Sequence, residues 1–251
     1  MSASSLALDE AAWDSPWRHR SVLEKGFLSI GLVLAALLLP TWPGAPAVGA
    51  VATVILLGPA RLAPGLLARI IRWPLAFLIS GVLSVSISLS WHGHPVIGLS
   101  RSGIAAGAAL LAHGLAGALA VFVLAATTPM VDLLESLRRV RLPAACVDIA
   151  ALTYRLLFTL VSTTRQVRES QAARLGYSSW RHSVESAAYL TAAVLVRSLA
   201  NAQRLEEGLA GRGYVDELST VTDSPRVSGR VLMAGAIGLA LLAVVSLWSA
   251  S

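Results

Sequence analysis

Two arginine-bearing stretches carry the most specific chemistry in the chain. One reads Glu169-Ser-Gln-Ala-Ala-Arg174-Leu-Gly176-Tyr177 and the other Glu207-Gly-Leu-Ala-Gly-Arg212-Gly213-Tyr214. In each, a Glu stands five residues before an Arg, and Gly-Tyr follows. Small residues flank each Arg: Ala172 and Ala173 in the first, Ala210, Gly211 and Gly213 in the second. Two readings compete. Gly beyond the last turn permits a left-handed residue and Arg suits a helix C-terminus, so either stretch alone is an ordinary helix cap. Capping leaves the duplication and the small neighbours unexplained. Small residues let a partner's backbone come close, and a guanidinium forms a two-pronged pair with a carboxylate. A pair of such tips suits docking to two copies of one partner.

Other reactive residue types give weaker signals. Trp91-His92-Gly93-His94 has two His at i and i+2 with no third ligand nearby, and it reads as an interfacial loop with a Trp anchor. His113 lies in an apolar run beside Gly107, Gly114 and Gly117. That spacing predicts a neutral, hydrogen-bonded histidine in a closely packed helix. The single cysteine, Cys146, excludes an intrachain disulfide and reads as a small buried apolar residue. No GxxxxGK[ST] phosphate loop, GxSxG elbow or HExxH helix occurs. The expectation is a chain that is not an enzyme, with no catalytic, metal or cofactor site of its own.

The elements that carry these residues follow from composition. Only 14% of residues are charged and the mean hydropathy is +0.69, where a soluble domain carries about 25%. No Asp or Glu occurs between Glu24 and Asp132, which suits a lipid-facing surface. The net charge of +6 is not read as nucleic-acid binding, because no basic cluster is interleaved with stacking aromatics. Apolar segments at Phe27–Trp42, Ala45–Leu62, Trp73–Trp91, Ile104–Thr127 and Val231–Trp248 predict five membrane spans, the first starting as early as Val22. The Pro/Gly cluster from Pro40 to Pro46 predicts a tight turn between the first two. Basic residues before the first span, between the second and third, and after the fourth place the N-terminus in the cytoplasm and Ser251 outside.

Residues 128–230 hold 13 of the 20 basic and 10 of the 14 acidic residues, too many charges to span lipid on this reading. Thr128-Pro129, Leu142-Pro143 and Arg181 predict three helix starts, the second helix running to about Leu175 and the third to about Leu209. The third has an apolar face that includes Val184, Leu195 and Leu199, and the second a polar stripe from Asp148 through Arg155 and Ser162 to Glu169. They are expected to pack on each other beneath the membrane. The predicted architecture is all-α, polytopic and L-shaped. A four-span domain covers 1–127, a cytoplasmic coupling-helix domain 128–230 and a last transmembrane helix 231–251.

With the arginine stretches placed at the ends of two long helices, the sequence resembles the T component of energy-coupling-factor (ECF) ABC transporters, in its CbiQ-like, cobalt-uptake branch. That family carries two Ala-Arg-Gly signatures at such helix ends. Here they stand as Ala173-Arg174-Leu175, with Gly176 one place later, and Gly211-Arg212-Gly213. The run Thr127-Thr-Pro129, Leu142-Pro143 and Tyr154-Arg155 is also similar to the family pattern. The resemblance implies a multi-pass inner-membrane protein surrounded by lipid and docked by both tips to two cytoplasmic ABC ATPases. A separate substrate-binding S component would lie beside it in the membrane. ATP would be used by the ATPases and not bound here. Cobalt is the implied substrate, ahead of nickel or a vitamin. A membrane scaffold that anchors cytosolic proteins is the alternative reading.

Overall fold

Proline and glycine set most helix boundaries. The computed structural model describes residues 9, 11–91, 95–99, 101–139, 142–213 and 228–248. After a 3-10 turn at Pro16–His19, α1 spans Val22–Leu38 and α2 Gly44–Leu57, with the Pro40–Pro43 turn between them. Helix α3 runs Pro64–Ser86, α4 Arg101–Thr127, α5 Met130–Arg139, α6 Ala144–Ala173, α7 Trp180–Ala210 and α8 Gly229–Trp248. The chain is an all-α, multi-pass membrane protein. Its one departure among the described residues is a hairpin of β1 (Ile87–Trp91) on β2 (Pro95–Leu99), antiparallel with Trp91 opposite Pro95.

That hairpin corrects the third predicted span, which was carried to Trp91. Helix α3 stops at Ser86, because Val85-Ser-Ile87-Ser-Leu89-Ser-Trp91 alternates apolar and polar residues at the strand period. At its other end α3 starts nine residues before Trp73, with Pro64 at its first position. Helix α2 has 14 residues, about 21 Å, which is short of the ~30 Å hydrocarbon core. Among the described residues α3, α4, α6 and α8 are each long and apolar enough to cross a bilayer. By length and composition α6 is among them, although segment 128–230 is expected from its charges to lie outside lipid. The charges of α6 are sparse before Arg165, and Asp148 is paired with Arg138.

Two compact units emerge, Ser2–Leu133 with Asp223–Ser251, and Leu134–Thr222. In the first, α4 is the central helix. Ala116, Leu119, Ala120 and Val123 of α4 form one core with Leu32 and Ala36 of α1 and Val48, Ala52 and Leu56 of α2. Against α3, glycines replace side chains. A Cβ on Gly107 would stand 2.9 Å from Val82 Cγ1, and one on Gly114 would stand 2.5 Å from a Leu78 methyl. In the second unit α6 and α7 are joined by residues 174–179. The expected burial of the α7 apolar face does not occur. Val184 is 53% exposed, Leu195 57% and Leu199 58%, and the one buried residue of α7 is Ser186.

Candidate docking tips and the polar cluster at the helix ends

The first arginine tip is a Schellman cap with an unusual occupant. The Leu175 amide donates to Ala172 O (3.0 Å) and the Gly176 amide to Gln171 O (2.9 Å), the pair of bonds that defines this cap. The left-handed residue is Leu175, at φ 60°, where glycine is usual. Gly176 serves a different purpose from the one its sequence position suggests. A Cβ there would meet Ser186 Oγ at 2.6 Å and Gln171 O at 2.9 Å. Its absence lets Ser186 Oγ donate to Gly176 O (2.7 Å), while Gln171 Nε2 donates to Ser186 O (3.0 Å) and Tyr177 Oη to Gln171 Oε1 (2.8 Å). The turn is thereby fastened to the first helical turns of α7. Ala173, Arg174 and Leu175 remain exposed, Leu175 by 74%.

The second tip repeats the arrangement with glycines. The amides of Gly211, Arg212 and Gly213 donate to Glu207 O (2.9 Å), Leu209 O (3.1 Å) and Ala210 O (3.1 Å). Gly213 is left-handed, at φ 72°. In both tips, therefore, the arginine immediately precedes the left-handed residue. All three tip residues are exposed, and a Cβ on Gly208 or Gly213 would meet no atom of the described residues within 4 Å. Tyr214, the end of the second motif, lies outside the described residues. The 31 residues of α7 separate the tips by about 45 Å at 1.5 Å per residue.

The remaining candidates fall out as follows. His92 and His94 lie outside the described residues, and no group of three His, Cys, Asp or Glu able to hold a metal occurs among the described ones. His113 Nδ1 lies 2.9 Å from Ala109 O one turn earlier, so this nitrogen is the donor, in keeping with a packing histidine. Of its predicted glycine neighbours, Gly107 and Gly114 pack closely, and a Cβ on Gly117 would meet no atom of the described residues within 4 Å. Cys146 is exposed, against the expectation of burial, because the neighbouring Val147 and Asp148 take the inward face of α6.

Sequence reasoning used Lys25 only as a marker of orientation and gave Glu24 no role. Both prove to be buried, at 2% and 5% exposure, in the first turn of α1. Lys25 Nζ donates to Thr127 O at 2.8 Å and to Arg18 O at 3.5 Å. Thr127 is the last residue of α4, so the ammonium caps the negative end of that helix. The Glu24 carboxylate accepts the Ser228 amide, at the entry to α8. Nearby, Arg18 Nε lies 3.9 Å from Asp132 Oδ2, and its guanidinium stacks 3.9 Å over Trp13. A local signal existed: Glu24 is the last carboxylate before the acid-free stretch.

Against known proteins, the chain matches the family described as CbiQ, cobalt transport protein, over residues 14–221. It is 36% identical over 230 residues to the cobalt transport protein CbiQ of Rhodobacter capsulatus, covering 91% of this chain and 93% of that one. It is 24% identical over 127 residues, 51% of this chain and 21% of the other, to a putative fused cobalt transport protein, CbiMQ, of Methanocorpusculum labreanum. An uncharacterized protein of Methanocaldococcus jannaschii is 31% identical over 98 residues, 39% of this chain and 37% of its own length.

Proposed function

The chain belongs to the CbiQ cobalt transport protein family, and on that premise we propose that it is the transmembrane coupling subunit of an ECF-type importer for cobalt. Each arginine tip docks one cytoplasmic ABC ATPase, whose surface supplies the carboxylate for Arg174 or Arg212. ATP binds the ATPases, and their approach to each other moves the tips. Helices α6 and α7 carry that movement to the membrane helices, beside which a separate S component holds the metal. This chain contributes no catalytic group and binds neither ATP nor metal. Its N-terminus and both tips face the cytoplasm, and its C-terminus faces outside.

One observation carries the reading. Two arginines stand exposed at helix ends with the same left-handed cap, one α7-length apart, and each has exposed small neighbours, Ala173 before Arg174 and Gly211 and Gly213 around Arg212. A cap alone needs no arginine at the same place twice. Two sites about 45 Å apart suit two protein subunits better than one small ligand.

The experiment is ATP-dependent uptake of radiolabelled cobalt into membranes holding this chain, the ATPase and the S component. Uptake that requires all three supports the proposal, and competition by excess nickel identifies the broader substrate class. Uptake unchanged when this chain is omitted would refute it.

A further inference from the structure

The polar cluster at the start of α1 holds two points of the membrane unit, one on the stretch that leads to residues 134–222 and one on the stretch that follows them. Thr127 ends α4 ahead of the boundary at Leu133, and Ser228 precedes α8 after the unit resumes at Asp223. Lys25 holds the first point through Thr127 O and Glu24 holds the second through the Ser228 amide. These are adjacent residues of one helical turn. Their partners are 102 and 204 residues away.

We infer that Glu24 and Lys25 form a fixed anchor on α1 that clamps both ends of the coupling segment, so that its motion is delivered to the membrane helices rather than dissipated at the joints. The inference rests on the coupling role proposed above. Three features favour an anchor over simple packing. Both charges are almost fully buried, and burying charges contributes little net stability even when they are paired, whereas it fixes position. The Lys25 bond fastens a backbone carbonyl at the end of the central core helix, next to Thr128 and Pro129. Arg18, whose carbonyl also meets Lys25, pairs with Asp132 in α5, so the departing chain is held on both sides of Pro129. Lys25 and Glu24 are positioning residues that touch neither ATP nor substrate.

The test uses the assembled complex and reads cobalt imported per ATP hydrolysed, together with ATPase co-purification. Lys25→Met and Glu24→Gln are expected to co-purify with the ATPase at wild-type yield and to hydrolyse ATP, while uptake per ATP falls at least tenfold. Lys25→Arg, which keeps the cation and its donors, is expected to hold the ratio within threefold of wild type. A wild-type ratio in Lys25→Met or Glu24→Gln would overturn the anchor, and so would loss of uptake and ATPase binding together in every variant. A second arm does not depend on how these variants fold. Leu28 Cδ1 lies 3.7 Å from where a Cβ on Gly235 would stand, so cysteines at these positions, in a Cys146→Ser background, can be bridged by a short bis-maleimide. If α1 and the start of α8 stay together throughout the cycle, the bridged complex transports normally. If bridging blocks uptake, the contact opens during the cycle and the anchor is refuted. A wild-type chain that captures no ATPase would refute the coupling role itself, a result distinguishable from failure of the anchor alone.

Discussion

Leu175 holds a backbone conformation that costs an L-residue with a side chain roughly 1–2 kcal/mol. The cap at the first tip is strong enough to impose it, through the Gln171, Ala172 and Ser186 hydrogen bonds. Leu175→Gly should therefore stabilise that turn by about 1 kcal/mol, seen as slower amide exchange at Gly176. Gly176→Ala should do the opposite, because its methyl would stand 2.6 Å from Ser186 Oγ. Equal exchange rates in wild type and Leu175→Gly would show that the turn is not strained. The sequence identified both arginines and the left-handed caps. It misassigned which residue of the first cap is left-handed, because Gly176 was also the place where α7 comes close, and that demand is tertiary. Glu24 and Lys25 were missed for a related reason: the edge of the acid-free stretch marks Glu24, but nothing local names a partner 102 or 204 positions away.

The long helices were the most legible elements, since proline openings and glycine ends mark them. The predicted α6 limits of Leu142-Pro143 and Leu175 lie within two residues of Ala144–Ala173, and the predicted α7 within one residue of Trp180–Ala210. Hydropathy alone did not separate strand from helix at Ile87. The account makes α7 a spacer with a fixed azimuth. Two residues inserted at its midpoint turn Arg212 by about 200° relative to Arg174. Uptake should then fall at least tenfold with helical content unchanged by circular dichroism, and full uptake would argue against a rigid spacer. Arg138 and the buried Asp148 join α5 to α6. Asp148→Asn should cost about 2 kcal/mol, less than for a fully buried pair because Arg138 is partly exposed. The cost would appear as a lower unfolding temperature in detergent.

At the scale of the whole molecule, the membrane class was already written in the missing carboxylates between Glu24 and Asp132, and the core centred on α4 follows from packing small residues against three neighbours. The proposed orientation predicts that single cysteines placed beside Arg174 and Arg212, in a Cys146→Ser background, react with an impermeant maleimide only from the cytoplasmic side. Labelling from the outside would reverse the topology. The central claim is that the two tips hold the ATPases, and the most direct measurement is the ATPase yield that co-purifies with tagged wild-type, Arg174→Ala, Arg212→Ala and doubly substituted chains. Losing one member of a desolvated charge pair costs roughly 2–5 kcal/mol, so each single change should reduce the yield and the double change should nearly abolish it. An undiminished yield with the double variant would contradict the account and return both arginines to the role of ordinary helix caps.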